Sequence, residues 1–276
     1  MTVALVDFVN EAPPVSKLGA VPQYLRPCVG GSAIDVFLRR VRETLSYGSS
    51  TTLISNDFIG RLLVLGVVAA SEAYFREVLS QSMTLCPVAR SAAAAKTINL
   101  GGLLWHGREG FSRSAFDNSS FSSAKELKSA AQEYIGFKLA ESSFGALLQE
   151  FDKVCQIRHG IVHGDGVLPG KNAVQLDVPP QQTPVMIVVR FDQLQEVASV
   201  VTTLVVTFNR ELFALMCQRW AIEWRKRDDW RPDLEGILFS RIWKVFLSEE
   251  ERKVRKGKSK LTKQACMAAT RNQFGI

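Results

Sequence analysis

The segment from Asp57 to Leu79 constrains the fold more than any other part of this chain. Its first half is apolar on nearly every face of a helix, and Asn56 or Asp57 can cap its amino end. A helix of this composition has no face to offer to water, so it is normally the buried central member of a helical bundle. Its most apolar run, 58–70, contains Gly60 and Arg61 and falls short of the roughly 18–20 residues that cross a bilayer. We therefore expect a helical core and no membrane span.

Most of the remaining chain has helical periodicity. Apolar residues recur at spacings of three and four, which predicts further helices over Ser32–Leu45, Ala124–Leu139, from Ser142 or Ser143 to His163, and from about Gln193 to Trp224.

The period changes between Lys171 and Phe191. Two short β-type runs, Ala173–Val178 and Val185–Phe191, flank a Pro/Gln/Thr turn, which predicts a hairpin. The expected fold is therefore mainly α, a helical bundle with a small β-hairpin insertion and a basic helical carboxy-terminal extension. We expect residues 1–50 to form an arm and the first helix, 51–218 the helical domain, and 219–276 the extension.

The net charge of +7 is concentrated at one end of the chain. Residues 219–276 hold 15 Lys and Arg against 8 Asp and Glu, so they carry the whole excess. A basic segment on a neutral body indicates a polyanionic partner, most often nucleic acid, although a solvated tail has the same composition. The expected contacts come from Arg252, Lys253, Arg255, Lys256, Lys258 and Lys260. Tryptophans in this extension either stack on bases or, as we favour, pack in the core.

The cysteines and the amino terminus indicate the compartment. The five cysteines are odd in number, lie far apart and include no CxxC pair, which argues against a disulfide framework and fits a reducing cytoplasm. The amino terminus has no basic region and places Asp7 within its apolar stretch, so it does not have the pattern of a signal peptide.

The hexapeptide RHGIVH, from Arg158 to His163, holds the residues best suited to chemistry. Two of the three histidines in the chain lie here, beside an arginine. Metal-free RNA cleavage requires a base for the ribose 2′-OH, an acid for the leaving 5′-oxygen, and positive charge near the phosphorane. Histidine suits the first two because its pKa lies near the working pH, and arginine suits the third because its planar fork matches phosphate oxygens.

The spacing of Arg158 and His163 predicts a dimer. Positions five apart on a regular helix differ by roughly 140° in direction, so one pair is poorly placed to surround a phosphate. Two copies facing each other across a two-fold axis would surround it. Glycines at 160, 164 and 166 are expected to leave the nearby backbone open to a ligand.

RHGIVH resembles the R-x4-6-H motif of the HEPN superfamily. The helix LLVLGVVAASEAYFREVL is similar to the earlier bundle helix of that family, which often carries an acidic residue near Ser71–Glu72. The later segment VVRFDQLQEVASVV and its order after the motif are also similar to HEPN proteins near bacterial defence and toxin–antitoxin systems. The resemblance covers roughly residues 53–215.

The resemblance implies a helical homodimer with a composite site and metal-independent ribonuclease activity without a cofactor. It implies a toxin or anti-phage effector, with an antitoxin or regulatory protein as a possible partner. The site residues are expected to be Arg158, His159, His163 and Glu72, with Glu72 orienting Arg158 or a histidine.

Each of these residues also has a purely structural interpretation. Arg158 would pair with Glu150 or Asp152 on the surface, and Glu72 with Arg76 one turn away. His163 would interact with the last carbonyls of its helix, and His159 would be a solvated neighbour.

Three broader alternatives remain at the level of sequence. The first is a zinc site, because Cys155, His159 and His163 share an i, i+4, i+8 spacing. That spacing spans roughly 12 Å, which is too far for all three side chains to reach one zinc ion. A HEPN-like dimer that binds nucleic acid or protein without cutting is the second. A DNA-binding regulator acting through the basic end is the third, with no helix-turn-helix or zinc signature to support it.

Overall fold

A computed structural model describes residues 16–28, 30–254 and 262–276, with the backbone alone at 108 and 109. The chain divides into two compact units, Met1–Gly30 and Gly31–Ile276. In the first unit, the described residues are exposed and form one 3-10 turn, Val21–Tyr24. In the second unit, the described α-helices are α1 (Ala33–Ser46), α2 (Ser50–Ile54), α3 (Asp57–Leu85), α4 (Pro87–Ala93), α5 (Leu100–Gly110), α6 (Ala124–Ala130), α7 (Glu141–His163), α8 (Gly170–Gln175), α9 (Phe191–Ala221), α10 (Glu235–Phe246), α11 (Glu249–Val254) and α12 (Lys263–Phe274).

The second unit is built around α3, as its apolar composition predicts. Asn56 caps this helix by accepting a hydrogen bond from the Ile59 N–H at 3.1 Å. The helix packs against α1, α7 and α9, and its Phe75 ring lies 5.2 Å from that of Phe208 on α9 and 6.4 Å from that of Phe151 on α7. Each of these rings is fully buried. Because buried aromatic rings dominate core energetics, this cluster fixes how the three helices pack.

Helix α7 ends where the sequence predicts. Its buried face includes Phe144, Leu148 and Phe151, and the helix stops at His163. Asp165 and Gly166 follow with φ of 51° and 86°, and the Gly166 N–H returns to the Gly160 carbonyl at 3.3 Å. This left-handed turn reverses the chain and leaves the end of α7 at the surface.

The predicted β-hairpin does not form. Residues 173–178 begin inside α8 (Gly170–Gln175), and residues 185–191 lead into α9 without forming a strand. Only an isolated antiparallel bridge joins Val167 to Met186 within the described residues. The reason is that Pro169 stands just before the first turn of α8, while segment 185–189 lies across the end of α7. The fold is mainly α, as expected, with the short helix α8 and a loop in place of the hairpin.

Two predicted helices have different bounds. The helix expected over Ala124–Leu139 is α6 followed by a π-helical turn, Ala131–Ile135, and Gly136 ends it with φ 66°. The long helix α9 begins two residues earlier than expected and ends at Ala221.

The carboxy-terminal helices α10 and α12 pack on α9. Trp220 is fully buried with its ring 4.8 Å from that of Phe239 on α10, and Trp224 is also buried. These two tryptophans therefore pack in the core, as we favoured. Arg219, buried beside them, donates hydrogen bonds to the Ile135 carbonyl at 2.7 Å and the Gly136 carbonyl at 3.2 Å.

Two long helices are apolar enough to cross a membrane by length and composition. They cover Asp57–Leu85 and Phe191–Lys226, contrary to the expectation that no segment would qualify. Core helices of soluble proteins meet the same criterion, and 50% and 39% of the most apolar windows are buried inside the unit.

Candidate active site

The candidate site lies where the last two turns of α7 meet α3. The guanidinium of Arg158 is 3.8 Å from the carboxylate of Glu72, which reaches it from α3. Both side chains are largely shielded, with 26% of Arg158 and 16% of Glu72 exposed. At 3.8 Å the contact is an ion pair without a hydrogen bond. The Oε1 atom of Glu72 has no hydrogen-bond partner among the described residues.

The environment of Glu72 disfavours its charged form. Burial raises the pKa of the carboxyl, while the charges of Arg158 and Arg76 lower it by a smaller amount. A buried carboxylate is costly unless it is paired, so the Arg158 charge is its main compensation among these contacts. Glu72 thus contacts Arg158, one of the residues that it was expected to orient.

The structural partners considered for these two residues are engaged elsewhere. Arg76 donates to the backbone carbonyls of Phe116 at 3.1 Å and Ser119 at 2.9 Å. Glu150 pairs with Lys153, and Asp152 accepts a hydrogen bond from the Ala124 N–H at 2.7 Å. Arg158 is therefore the ion-pair partner of Glu72, while Arg76 acts on the carboxyl only through its charge.

His159 and His163 are exposed and lie one turn apart on α7. Their ring centroids are 4.4 Å apart, with an angle of 47° between the planes. The pKa of His159 is lowered, first because the fold removes part of its hydration, and then by the nearby His163, Arg158 and Lys171. His159 is therefore biased towards its neutral form near pH 7, the form that accepts a proton.

Lys171 was not identified from the sequence. It occupies the first turn of α8, close enough to His159 for its charge to affect the titration of the imidazole. Its segment has β-type periodicity, so the pattern gave no sign that α8 would bring a cation to the end of α7.

The glycines around the motif do not leave an open backbone, contrary to expectation. A Cβ at Gly160 would lie 2.7 Å from the Ile187 side chain, and one at Gly164 would overlap the carbonyl oxygen of Val167. The Arg61 side chain lies over Gly166 and donates to the Ile187 carbonyl at 3.3 Å. Glycine is needed at 160 and 164 for close packing of the returning chain, so a ligand must approach from the histidine side.

The basic carboxy-terminal residues are only partly described. Arg252 and Lys253 lie exposed on α11, where Arg252 pairs with Glu249 at 3.2 Å. Arg255, Lys256, Lys258 and Lys260 lie outside the described residues.

The zinc alternative fails on burial. Cys155 lies in the core, where burial raises the pKa of its thiol well above the ordinary value, while His159 and His163 are exposed. Within the described ranges, no group of three His, Cys, Asp or Glu side chains is arranged to hold a metal ion.

No protein-family model, curated protein or solved structure matches this chain. The resemblance to HEPN proteins therefore rests on the residues quoted above.

Proposed function

We propose that this protein is a metal-independent endoribonuclease of HEPN type. The observation that supports it most strongly is the juxtaposition at the end of α7. Two exposed imidazoles stand 4.4 Å apart, beside an arginine whose ion-pair partner is a largely buried carboxylate. A surface helix end has no structural need for this combination, and each group suits one requirement of RNA transesterification.

In the proposed reaction, the ribose 2′-oxygen attacks the adjacent phosphorus and the bond from phosphorus to the 5′-oxygen breaks. A neutral imidazole removes the proton from the 2′-OH, and His159, with its lowered pKa, is suited to this role. A protonated imidazole, assigned to His163, gives a proton to the leaving 5′-oxygen. Arg158 stabilises the charge on the phosphorane. The products carry a 2′,3′-cyclic phosphate and a 5′-hydroxyl.

The placement of Glu72 supports a positioning role in this proposal. Arg158 has no hydrogen bond to the described residues, so its N–H donors are available to phosphate oxygens. The ion pair with Glu72 restricts where the guanidinium can lie before substrate arrives. An arginine held in advance loses less conformational entropy on binding phosphate.

We also propose that the working form is a homodimer built on the motif face, defined by Phe58, Leu62, Val162, Met186 and Val188. All five are exposed, Phe58 by 57% and Leu62 by 47%. Two lie on α3, one on α7, and two on the segment before α9. Ile187 of that segment contacts Arg61 of α3 and Gly160 of α7, so the three elements meet. Clustered exposed apolar side chains indicate an interaction surface. A second copy bound here would add a second set of motif residues. One set does not suffice, because the spacing of Arg158 and His163 points them in different directions.

The HEPN resemblance leads us to propose a biological setting as well. The activity would serve a toxin or an anti-phage effector, with an antitoxin or regulatory protein restraining it, and the basic residues of the carboxy-terminal extension would help to hold RNA.

The activity is tested by incubating the purified protein with tRNA, mRNA and DNA in EDTA. We expect cleavage of RNA alone, lost in Arg158→Ala and His163→Ala. Arg40→Ala is the control, because Arg40 is exposed on α1 outside the site. The absence of RNA cleavage, or equal cleavage by His163→Ala, would refute the proposal. Salt-dependent RNA binding without products would favour a non-catalytic binding module.

The dimer is tested by sedimentation and cleavage assays on Leu62→Glu. A charge within the motif face should dissociate the dimer and reduce cleavage together. Leu104→Glu is the control, since Leu104 is 82% exposed on α5. A fully active monomer would contradict the composite site.

A further inference from the structure

A cavity of about 690 Å³ lies at the other end of α3 from the histidine pair. It is lined by the last turns of α3, by α4 and α5, and by residues between Trp224 and Val245. Gln81, on its wall, is nine residues beyond Glu72 on α3, or about 13 Å along the helix. The volume falls within the range of roughly 300–1,000 Å³ that is typical of small-molecule sites.

The lining of this cavity is strongly basic. It includes two acidic residues and five arginines, which are Arg90, Arg113, Arg227, Arg231 and Arg241. Three of these arginines are paired with carboxylates at 2.8 Å. The side chains of Arg90 on α4 and Arg241 on α10 have neither a hydrogen bond nor an ion pair in the part of the chain that the structure describes. The charge of Arg90 lowers the pKa of Asp229, but no carboxylate contacts either guanidinium within the described residues. Two guanidinium groups from different helices therefore line one cavity without a contacting carboxylate, an arrangement that favours an anionic ligand.

Another part of the lining is a cluster of hydroxyl groups. The Ser80 and Ser112 hydroxyls are 2.9 Å apart, and Thr84 donates to Ser112 at 2.8 Å. Ser80 and Ser112 are buried, whereas Thr84 is exposed, so the Thr84 hydroxyl is the member of the cluster that a polar ligand would reach.

A third part is apolar and aromatic. Trp230, which is half-buried, lines the cavity together with Leu238, while Trp224 on the same wall is buried in the core. Indole rings are favourable surfaces for the flat faces of nucleobases, which stack on aromatic side chains.

We propose that this cavity binds a nucleotide, with its phosphates on Arg90 and Arg241 and its base against the tryptophan wall. Each part of the lining matches one part of such a ligand. The arginine fork fits phosphate oxygens at two points, the Thr84 hydroxyl suits the ribose, and the Trp230 indole suits the base. The cavity has the size of a small-molecule site, which favours a nucleotide over an RNA strand. This inference does not depend on the ribonuclease proposal.

The test is a calorimetric titration of the full-length protein with ATP, GTP and inorganic tripolyphosphate, supported by tryptophan fluorescence. We expect ATP or GTP to bind more tightly than tripolyphosphate. Arg90→Gln and Arg241→Gln should each weaken nucleotide binding by about 10-fold or more. Both arginines are exposed, so these variants should fold normally, which thermal denaturation checks. Arg40→Gln, an exposed position on α1 outside the cavity, should stay within about 2-fold.

Three results would overturn the proposal. One is no binding of either nucleotide, and another is equal binding of tripolyphosphate, which would indicate an anion site without base recognition. The third uses a short RNA oligonucleotide on the His163→Ala protein. If it binds more tightly than ATP and is equally sensitive to Arg90→Gln, the cavity is part of an RNA groove.

Discussion

Replacing Glu72 by Gln should separate stability from activity. At 3.8 Å and an effective dielectric constant of about 20, the direct attraction between Glu72 and Arg158 is about 4 kcal/mol. Nevertheless, the pKa of Glu72 is raised above 4.5, so the cost of burying the charge exceeds what its cationic neighbours return. Gln reproduces the protonated carboxyl and carries no buried charge. We therefore expect the free energy of unfolding at pH 7 to stay unchanged or to rise.

The pH dependence of this effect has a defined sign. Because the pKa of Glu72 is higher in the folded protein than in the unfolded chain, ionisation of Glu72 costs stability as the pH rises through the folded value. The stability advantage of Glu72→Gln should thus be smallest below pH 4.5 and grow above it. Urea denaturation at several pH values measures this difference.

The same change should reduce RNA cleavage by roughly 10- to 100-fold, because Arg158 loses the charge that positions it. Glu150→Gln is the matched control, since Glu150 is a half-exposed residue of α7 whose ion pair is with Lys153. Exposed pairs of this kind contribute about 0–1 kcal/mol, and the control should cleave normally. Cleavage by Glu72→Gln at the wild-type rate, or a loss of more than about 2 kcal/mol of stability, would refute the reasoning.

Three further predictions concern the site and its support. In the pH–rate profile, His159 should contribute an acidic limb below about pH 6.5, because its pKa is lowered. His159→Ala should remove that limb, and an unchanged limb would exclude His159 as the base. Gly164→Ala should lower the free energy of unfolding, measured in urea, by about 1–3 kcal/mol, because the added Cβ overlaps a backbone carbonyl. In Gly170→Ala the added Cβ meets no atom within 4 Å, so the free energy of unfolding should change little. Equal effects of the two changes would contradict the packing at the end of α7. Arg219→Met should cost about 1–3 kcal/mol or more in thermal denaturation, because it leaves the buried Ile135 carbonyl unsatisfied, and a neutral result would contradict that hydrogen bond.

The parts of the fold that could be predicted are those set by local pattern. Helix α3 is apolar over most of its surface, and α7 has an unbroken apolar stripe that stops at a Gly-Asp-Gly turn, so neither depends on distant residues for its identity. The hairpin prediction was wrong because six residues are too few to distinguish a period of two from a short helix. Tertiary packing decided the outcome, since segment 185–189 is used to cover the end of α7.

The candidate site likewise has a part that the sequence indicates and a part that depends on tertiary packing. The motif residues of α7 are adjacent in the chain, so the sequence alone indicates them. The pairing of Arg158 with Glu72 joins residues 86 positions apart and depends on how α7 packs on α3. Lys171 and the second cavity depend on several elements meeting in space, and no sequence spacing encodes either of them.

Sequencing of RNA ends tests the central claim most directly. RNA would be incubated in EDTA with the wild-type protein and with His163→Ala, and both new ends of each cut identified. Transesterification by this site predicts 2′,3′-cyclic phosphate and 5′-hydroxyl ends that appear with the wild type and are absent with the variant. Ends bearing a 3′-hydroxyl and a 5′-phosphate, or equal numbers of cuts with His163→Ala, would contradict it.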